Sequence, residues 1–151
     1  MKSLKFVILL SAIFTLTACP EKGILSFGFE NNSDVDVYIY LGAIERKYGG
    51  TLYPDTAISE VRAGTPVPRG SIRYGNSFHE EVWIYTDTLC LFIFDADIYN
   101  TYSWEEIKSG YKILKRYDLT LEDFRRLGWR ISFPPTEDMR GIRMFPPFGS
   151  E

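Results

Sequence analysis

Asp95-Ala96-Asp97 is the pair of side chains in this sequence best spaced for chemistry. It closes the apolar run Leu89-Cys90-Leu91-Phe92-Ile93-Phe94. A strand ending in two carboxylates can hold one as nucleophile and the other as general acid. The same spacing has a plainer use, because Asp at a strand end accepts backbone N–H groups and turns the chain. A calcium site at this pair lacks the further oxygen ligands that an EF-type loop spaces along its turn. His79, in His79-Glu80-Glu81, is the single histidine. One His cannot build a common zinc site, no Gly-x-Ser-x-Gly elbow offers it a nucleophile, and it is expected to be solvated. Gly49-Gly50 is an isolated pair and reads as a turn, not a phosphate cradle. Cys90 sits in the most apolar run after the N-terminal leader and reads as a small buried hydrophobe, with no second cysteine spaced for a disulfide or a zinc site. These residues point to no metal, no cofactor and no enzyme. The alternative is a small periplasmic hydrolase using Asp95 and Asp97.

Asp95-Ala96-Asp97 is similar to the Asp-x-Asp signature of haloacid dehalogenase-type phosphotransferases, in which the first Asp is the nucleophile and the second a general acid. The likeness stops at the tripeptide. Ile98-Tyr99 stands where that family has a small Gly-Thr turn, and its later Lys and acidic metal pair are not evident.

A stronger signal lies at the N-terminus. Lys2 and Lys5 precede the apolar stretch Phe6 to Leu16, and the segment ends in small residues before a cysteine. That order describes a signal peptide, threaded across a membrane and cut, and it is too short for a permanent span. Leu16-Thr17-Ala18-Cys19 resembles the bacterial lipobox. The resemblance implies cleavage between Ala18 and Cys19, a diacylglyceryl group on the Cys19 thiol and a further acyl chain on its amine. Each buried CH₂ contributes roughly 0.8 kcal/mol, so two or three chains hold a protein where one alone is marginal. Pro20 stands where Asp would signal inner-membrane retention in enteric bacteria, which favours the outer membrane. Whether the domain faces periplasm or cell surface stays open.

With 17 Lys+Arg against 20 Asp+Glu, the 151-residue chain carries a formal charge of −3, and removing Lys2 and Lys5 with the leader makes it more acidic still. An acidic chain excludes nucleic acid as the expected partner. No second apolar run is long enough to span a membrane. Residues 1–18 are thus expected to be removed, 19–24 to be a lipidated tether, 25–133 one β-rich domain and 134–151 an irregular Pro-rich tail.

The elements that must carry these groups follow from periodicity. Leu25, Phe27 and Phe29 alternate with polar or small neighbours, as do Val35, Val37, Ile39 and Leu41. Between them Asn31-Asn32-Ser33-Asp34 predicts a hairpin or a sheet-to-sheet corner. Residues 42 to 56 read as loop and Ile58 to Ala63 as a short strand. Ile72 to Tyr74 reads as a brief pairing and Val82 to Tyr85 as a strand. Leu89 to Phe94, apolar on both faces, belongs mid-sheet or between layers. Ser103-Trp104-Glu105-Glu106 and Thr120-Leu121-Glu122-Asp123 carry the spacing of capping boxes and predict two short helices, stopped by Gly110 and Gly128. Tyr111 to Tyr117 and Trp129 to Phe133 read as strands. The sum is a mainly β fold: a two-layer β-sandwich, in outline open to an immunoglobulin-like arrangement, with two short helices in the C-terminal third. The alternative is α+β.

Tyr38 and Tyr40 lie opposite Val37 and Ile39, while Tyr48, Tyr53, Tyr99 and Tyr102 fall in loops. They are expected to cover an edge or a loop more than to bind a sugar or protein. Asp55-Thr56-Ala57 and Asp87-Thr88-Leu89 are similar to the Asp-Thr-aliphatic signal for O-glycosylation in some anaerobic gut bacteria, which marks Thr56 and Thr88. Phe92-Ile93-Phe94-Asp95-Ala96-Asp97, Trp104, Ile107, Tyr111, Ile113-Leu114, Arg116-Tyr117-Asp118-Leu119 and Leu127-Gly128-Trp129-Arg130-Ile131 together resemble a group of small lipoproteins of gut anaerobes of unknown function, with Asn32-Ser33-Asp34 a looser match. The resemblance implies a secreted, lipid-anchored β-rich domain and brings no catalytic residues. The expectation is a non-enzymatic envelope lipoprotein, anchored through Cys19, that contacts another protein or a glycan. A purely structural outer-membrane role is the further alternative.

Overall fold

The computed structural model describes residues 23–43 and 65–150. The expected strand Ile58 to Ala63, together with Cys19, Tyr48, Tyr53 and Thr56, lies outside them. In chain order the described elements are β1 (Ile24–Asn31), β2 (Val37–Ala43), β3 (Ser71–His79), α1 (Val82–Tyr85), β4 (Leu89–Asp95), α2 (Ala96–Thr101), α3 (Trp104–Ser109), β5 (Lys115–Leu119), α4 (Leu121–Arg126), β6 (Arg130–Phe133) and β7 (Arg143–Phe145), with a 3₁₀ turn at Glu137–Met139. The fold is mainly β, built on two sheets. One has the order β3-β1-β6, with β1 antiparallel to β3 and parallel to β6. The other has the order β2-β4-β5-β7, antiparallel throughout. No helix among the described residues is long and apolar enough to cross a membrane.

The core between the sheets follows the period-two pattern. Phe27, Phe29, Ile131 and Phe133 from the first sheet meet Val37, Leu89, Leu91, Ile93, Tyr117 and Leu119 from the second. The hydroxyl of Tyr117 crosses this core to donate to the Ser132 carbonyl at 2.9 Å, so a buried polar group ties the sheets together. Between β1 and β2 the chain changes sheet, one of the two outcomes its turn residues allow. Buried Asn31 holds that corner. Its amide donates to Val35 O at 2.8 Å and Val67 O at 3.0 Å, and its Oδ1 accepts from Ser33 Oγ at 2.6 Å. β4 lies between β2 and β5, as a strand apolar on both faces should. Its second face, Cys90, Phe92 and Phe94, packs with Tyr38, Tyr40, Tyr99, Trp104, Ile107 and Ile113. Tyr38 and Tyr40 are therefore half-buried cover, as expected.

Both capping boxes form, Ser103 with Glu106 at α3 and Thr120 with Asp123 at α4. Five assignments need correction. Ile72 to Tyr74 is no brief pairing, since β3 runs on through Gly75 and Asn76 to His79 along β1. Val82 to Tyr85 is helix α1, not a strand, because Trp83 docks on Phe78 and Phe124 and a single turn is enough to place it. Ala96–Thr101 is a further helix, so α1 and α2 add to the two expected. In Tyr111 to Tyr117 only the part from Lys115 onward is strand, and β5 continues to Leu119. The stretch expected to be an irregular tail supplies β7, paired with β5, and buries Met139 and Ile142 in the inter-sheet core.

Candidate functional site

The sheet-changing corner carries its acidic residues to one end of the sandwich. Val37 pairs with Asp95, and the Asp36 carbonyl accepts from Ala96 N at 2.9 Å, which brings Asp34 and Asp36 beside Asp95 and Asp97. With Arg69 and Asn100 these residues line a cavity of about 390 Å³. Arg69 N donates to Asp36 Oδ1 at 2.9 Å. Asp95 is the N-cap of α2: its Oδ1 accepts from Asp97 N at 2.8 Å and Ile98 N at 3.0 Å. The two carboxylates singled out in the sequence thus share a concave wall, but one oxygen of Asp95 is given to the backbone. A second cavity, about 330 Å³, shares Asp34, Val35 and Asp95 and has Lys115 on its wall. Lys115 is buried and its Nζ donates to the Pro146 carbonyl at 3.4 Å. Among the described residues no group of three or more His, Cys, Asp or Glu could hold a metal ion.

A different kind of surface lies on the outer side of the three-stranded sheet. The β1–β3 register shifts between Phe27 and Phe29, and there Tyr74 and Gly75 stand opposite Gly28. The Tyr74 ring lies on Gly28 so closely that a Cβ at that position would be 3.3 Å from Tyr74 Cδ1 and 3.4 Å from Cε1. Glycine is what lets the edge of the ring come this close to the strand, and Tyr74 remains 67% exposed. Ser26, Gly128, Trp129 and Arg130 complete a groove of about 340 Å³. Trp129 reaches it from a left-handed backbone conformation, φ 61°, one residue after Gly128 at φ 59°. A bulky residue held there costs of order 1–3 kcal/mol and needs its surroundings to fix it. The fixing contact is stacking on Phe124, ring centroids 5.5 Å apart. Around the ring the face is polar, with exposed Ser26, Ser77 and Arg130 and, further along β1, Glu30 accepting from Ser132 Oγ at 3.3 Å.

Cys90 is buried, as expected, but in a charged setting. Its thiol donates to Asp118 Oδ1 at 3.1 Å, where Arg116 Nε also binds at 2.6 Å, and Arg143 Nε meets Asp118 Oδ2 at 3.0 Å. Burial, with the Asp118 carboxylate beside it, pushes the Cys90 thiol up to about 12. Native protein at pH 8 is expected to resist a thiol-reactive dye that labels the urea-unfolded chain at once; equal labelling rates in the two states would contradict the burial. The pH dependence has a definite sign. The folded thiol ionises above its ordinary value of 9.0, so its stabilising contribution is complete below pH 9 and is lost as pH climbs toward 12. Stability of the wild type relative to Cys90→Ala should fall across that window.

Of the remaining residues flagged in the sequence, Thr88 lies half-buried in the turn before β4, its Oγ1 donating to Asp87 Oδ1 at 3.2 Å. His79 ends β3 and is exposed. Tyr99 belongs to α2, and Tyr102 lies under the Lys112 ammonium, 4.3 Å from its ring centre. Sequence reasoning missed Tyr74 and the pairing of Arg116 with Asp118. The second had a readable signal, since residues two apart on a strand share a face. Tyr74 had none, because its exposure depends on a bulge and a glycine on the neighbouring strand.

These features define a two-sheet, mainly β domain with acidic cavities at one end and an aromatic groove on one face. No protein-family model, no curated protein and no solved structure matches this chain.

Proposed function

We propose that this chain is a lipid-anchored envelope protein without enzymatic activity, held by acyl chains on Cys19, whose outer sheet face binds a glycan. The observation that carries the reading is the Tyr74 ring, its Cδ1–Cε1 edge against Gly28 and most of its surface in solvent, with Trp129 and Arg130 beside it. A sugar ring presents apolar C–H groups on one face and hydroxyls around its rim. Tyr74 matches the first, and Ser26, Ser77 and Arg130 supply partners for the second. Both signs of charge occur on this face, in Glu30 and Arg130, which suits a neutral saccharide.

The test is retardation of the detergent-solubilised lipoprotein in gels containing neutral polysaccharides. One of them should retard the wild type, and Tyr74→Ala should weaken retention about tenfold, since stacking adds 0.5–1.5 kcal/mol to the area it buries. Retardation unchanged by Tyr74→Ala removes the face from the reading. A co-purifying protein lost on the same substitution reassigns the face to a protein partner. The second reading, a small hydrolase, is favoured by one observation, the shared cavity wall of Asp95 and Asp97. Asp97→Asn leaves the Asp95 cap intact and would abolish turnover if that reading held.

A further inference from the structure

We infer that the end of the domain nearest Cys19 seats directly in the bilayer surface, with Ile24, Ile84 and Tyr85 as its contact residues. The inference rests on the reading of Cys19 as the anchor and goes beyond it, because an anchor alone leaves the domain free to tumble on its tether. Only four peptide units separate Cys19 from Gly23, a span of at most about 14 Å. Gly23 is already part of the fold: its carbonyl accepts from Glu80 N at 2.9 Å. That bond places α1, which begins two residues later, at the anchored end of the sheet. Ile24 pairs with His79 at the same end.

α1 is then fixed in orientation by its two inward residues, Val82 and Trp83, both packed on the inter-sheet core. Trp83 packs on Phe78 at 5.9 Å and on Phe124 at 6.2 Å, so Ile84 and Tyr85 point away from the core. They are 71% and 66% exposed, and Ile24 is 63% exposed. Single exposed apolar residues need no explanation, but here three of the large ones gather beside the point where the chain leaves for its lipid. The headgroup boundary is the environment that rewards them, with the tyrosine ring in the apolar zone and its hydroxyl in water. Among the described residues flanking α1, Glu80, Glu81 and Asp87 are acidic, with His79 alongside, all exposed. They give no attraction to an anionic surface, so the contact is apolar in origin and insensitive to salt. In this pose β1 rises away from the bilayer and sets the Asp-lined cavities about 25 Å further out.

The experiment uses full-length, lipidated protein reconstituted into vesicles of phosphatidylethanolamine and phosphatidylcholine, the latter brominated in the upper acyl chain. Two single-tryptophan forms are compared, with phenylalanine at the other two tryptophan positions to keep the ring packing, one keeping Trp83 in α1 and one keeping Trp104, which packs on Phe94 toward the opposite end of the sheet. Both should float with the vesicles. Trp83 emission should be quenched at least twofold more than that of Trp104, at low and at high salt. Ile84→Asp, and independently Ile24→Asp, should remove that excess while flotation persists. Flotation with equal quenching of the two tryptophans overturns the seating and leaves the anchor standing. Protein that does not float overturns the anchor and the seating with it.

Discussion

Phe124→Ala is expected to destabilise the protein by about 3–5 kcal/mol, the usual cost of emptying an aromatic site that cannot collapse. The ring is fully buried, and four others close around it: Phe27, Phe78 and Trp129 at 5.5 Å and Trp83 at 6.2 Å. Urea unfolding should show a lower midpoint with an unchanged slope. The loss should also travel, because two of those neighbours serve surfaces. Trp129 lines the Tyr74 groove, and Trp83 fixes the direction of α1. Phe124→Leu, which keeps most of the volume, should cost less than half as much. A Phe124→Ala protein within 1 kcal/mol of wild type, a limit set at the small end of core substitutions, would show that the cluster is not packed as described.

Asp118→Ala is expected to cost a comparable amount, about 3–5 kcal/mol, for a different reason. Its side chain is 6% exposed and that of Arg116 4%, and Asp118 Oδ1 holds the Arg116 Nε at 2.6 Å. Removing the carboxylate strands a buried guanidinium and takes the acceptor from the Cys90 thiol. Arg143, 68% exposed, meets the other oxygen from solvent, so Arg143→Ala should cost no more than about 1 kcal/mol. The informative variant is the double Arg116→Met, Asp118→Leu, which removes both charges while keeping volume. It should lie closer to wild type than Asp118→Ala alone, measured again by urea unfolding. If the double variant is the worse of the two, the pair contributes net stability rather than only guarding against its own disruption.

The parts of the fold legible in the sequence are those fixed by local rules. Alternation in β1 and β2, the two-sided apolar run of β4 and the two capping boxes each depend on residues within a few positions, and each appears where its pattern lies. Val82-Trp83-Ile84-Tyr85 misleads by the same logic, since β-branched and aromatic residues favour strands and only the docking of Trp83 on Phe78 and Phe124 selects a helical turn. β7 is hidden because three residues just before Pro146 show no period, and its pairing is decided by β5 instead. The site divides along the same line. Asp95 and Asp97 were visible as a motif and do share a cavity wall, whereas the partners that complete that wall, Asp34, Asp36 and Arg69, arrive from a corner 60 residues upstream or from beside the Val37–Val67 bridge.

The parallel β1–β6 pair also governs how the protein can be made. Glu30 and Ser132, bonded across that pair, are 102 residues apart. The first strand of the domain is therefore enclosed on one side only by nearly the last segment to be made. Pairings of such long range are slow, because loop closure must precede any gain from contact. Until β6 arrives, β1 exposes an unpaired edge with Phe27 and Phe29 uncovered, a template for sticking to other chains. If the chain is exported and acylated as proposed, its first strand stays open until the last of the chain has followed, and needs shielding in the meantime.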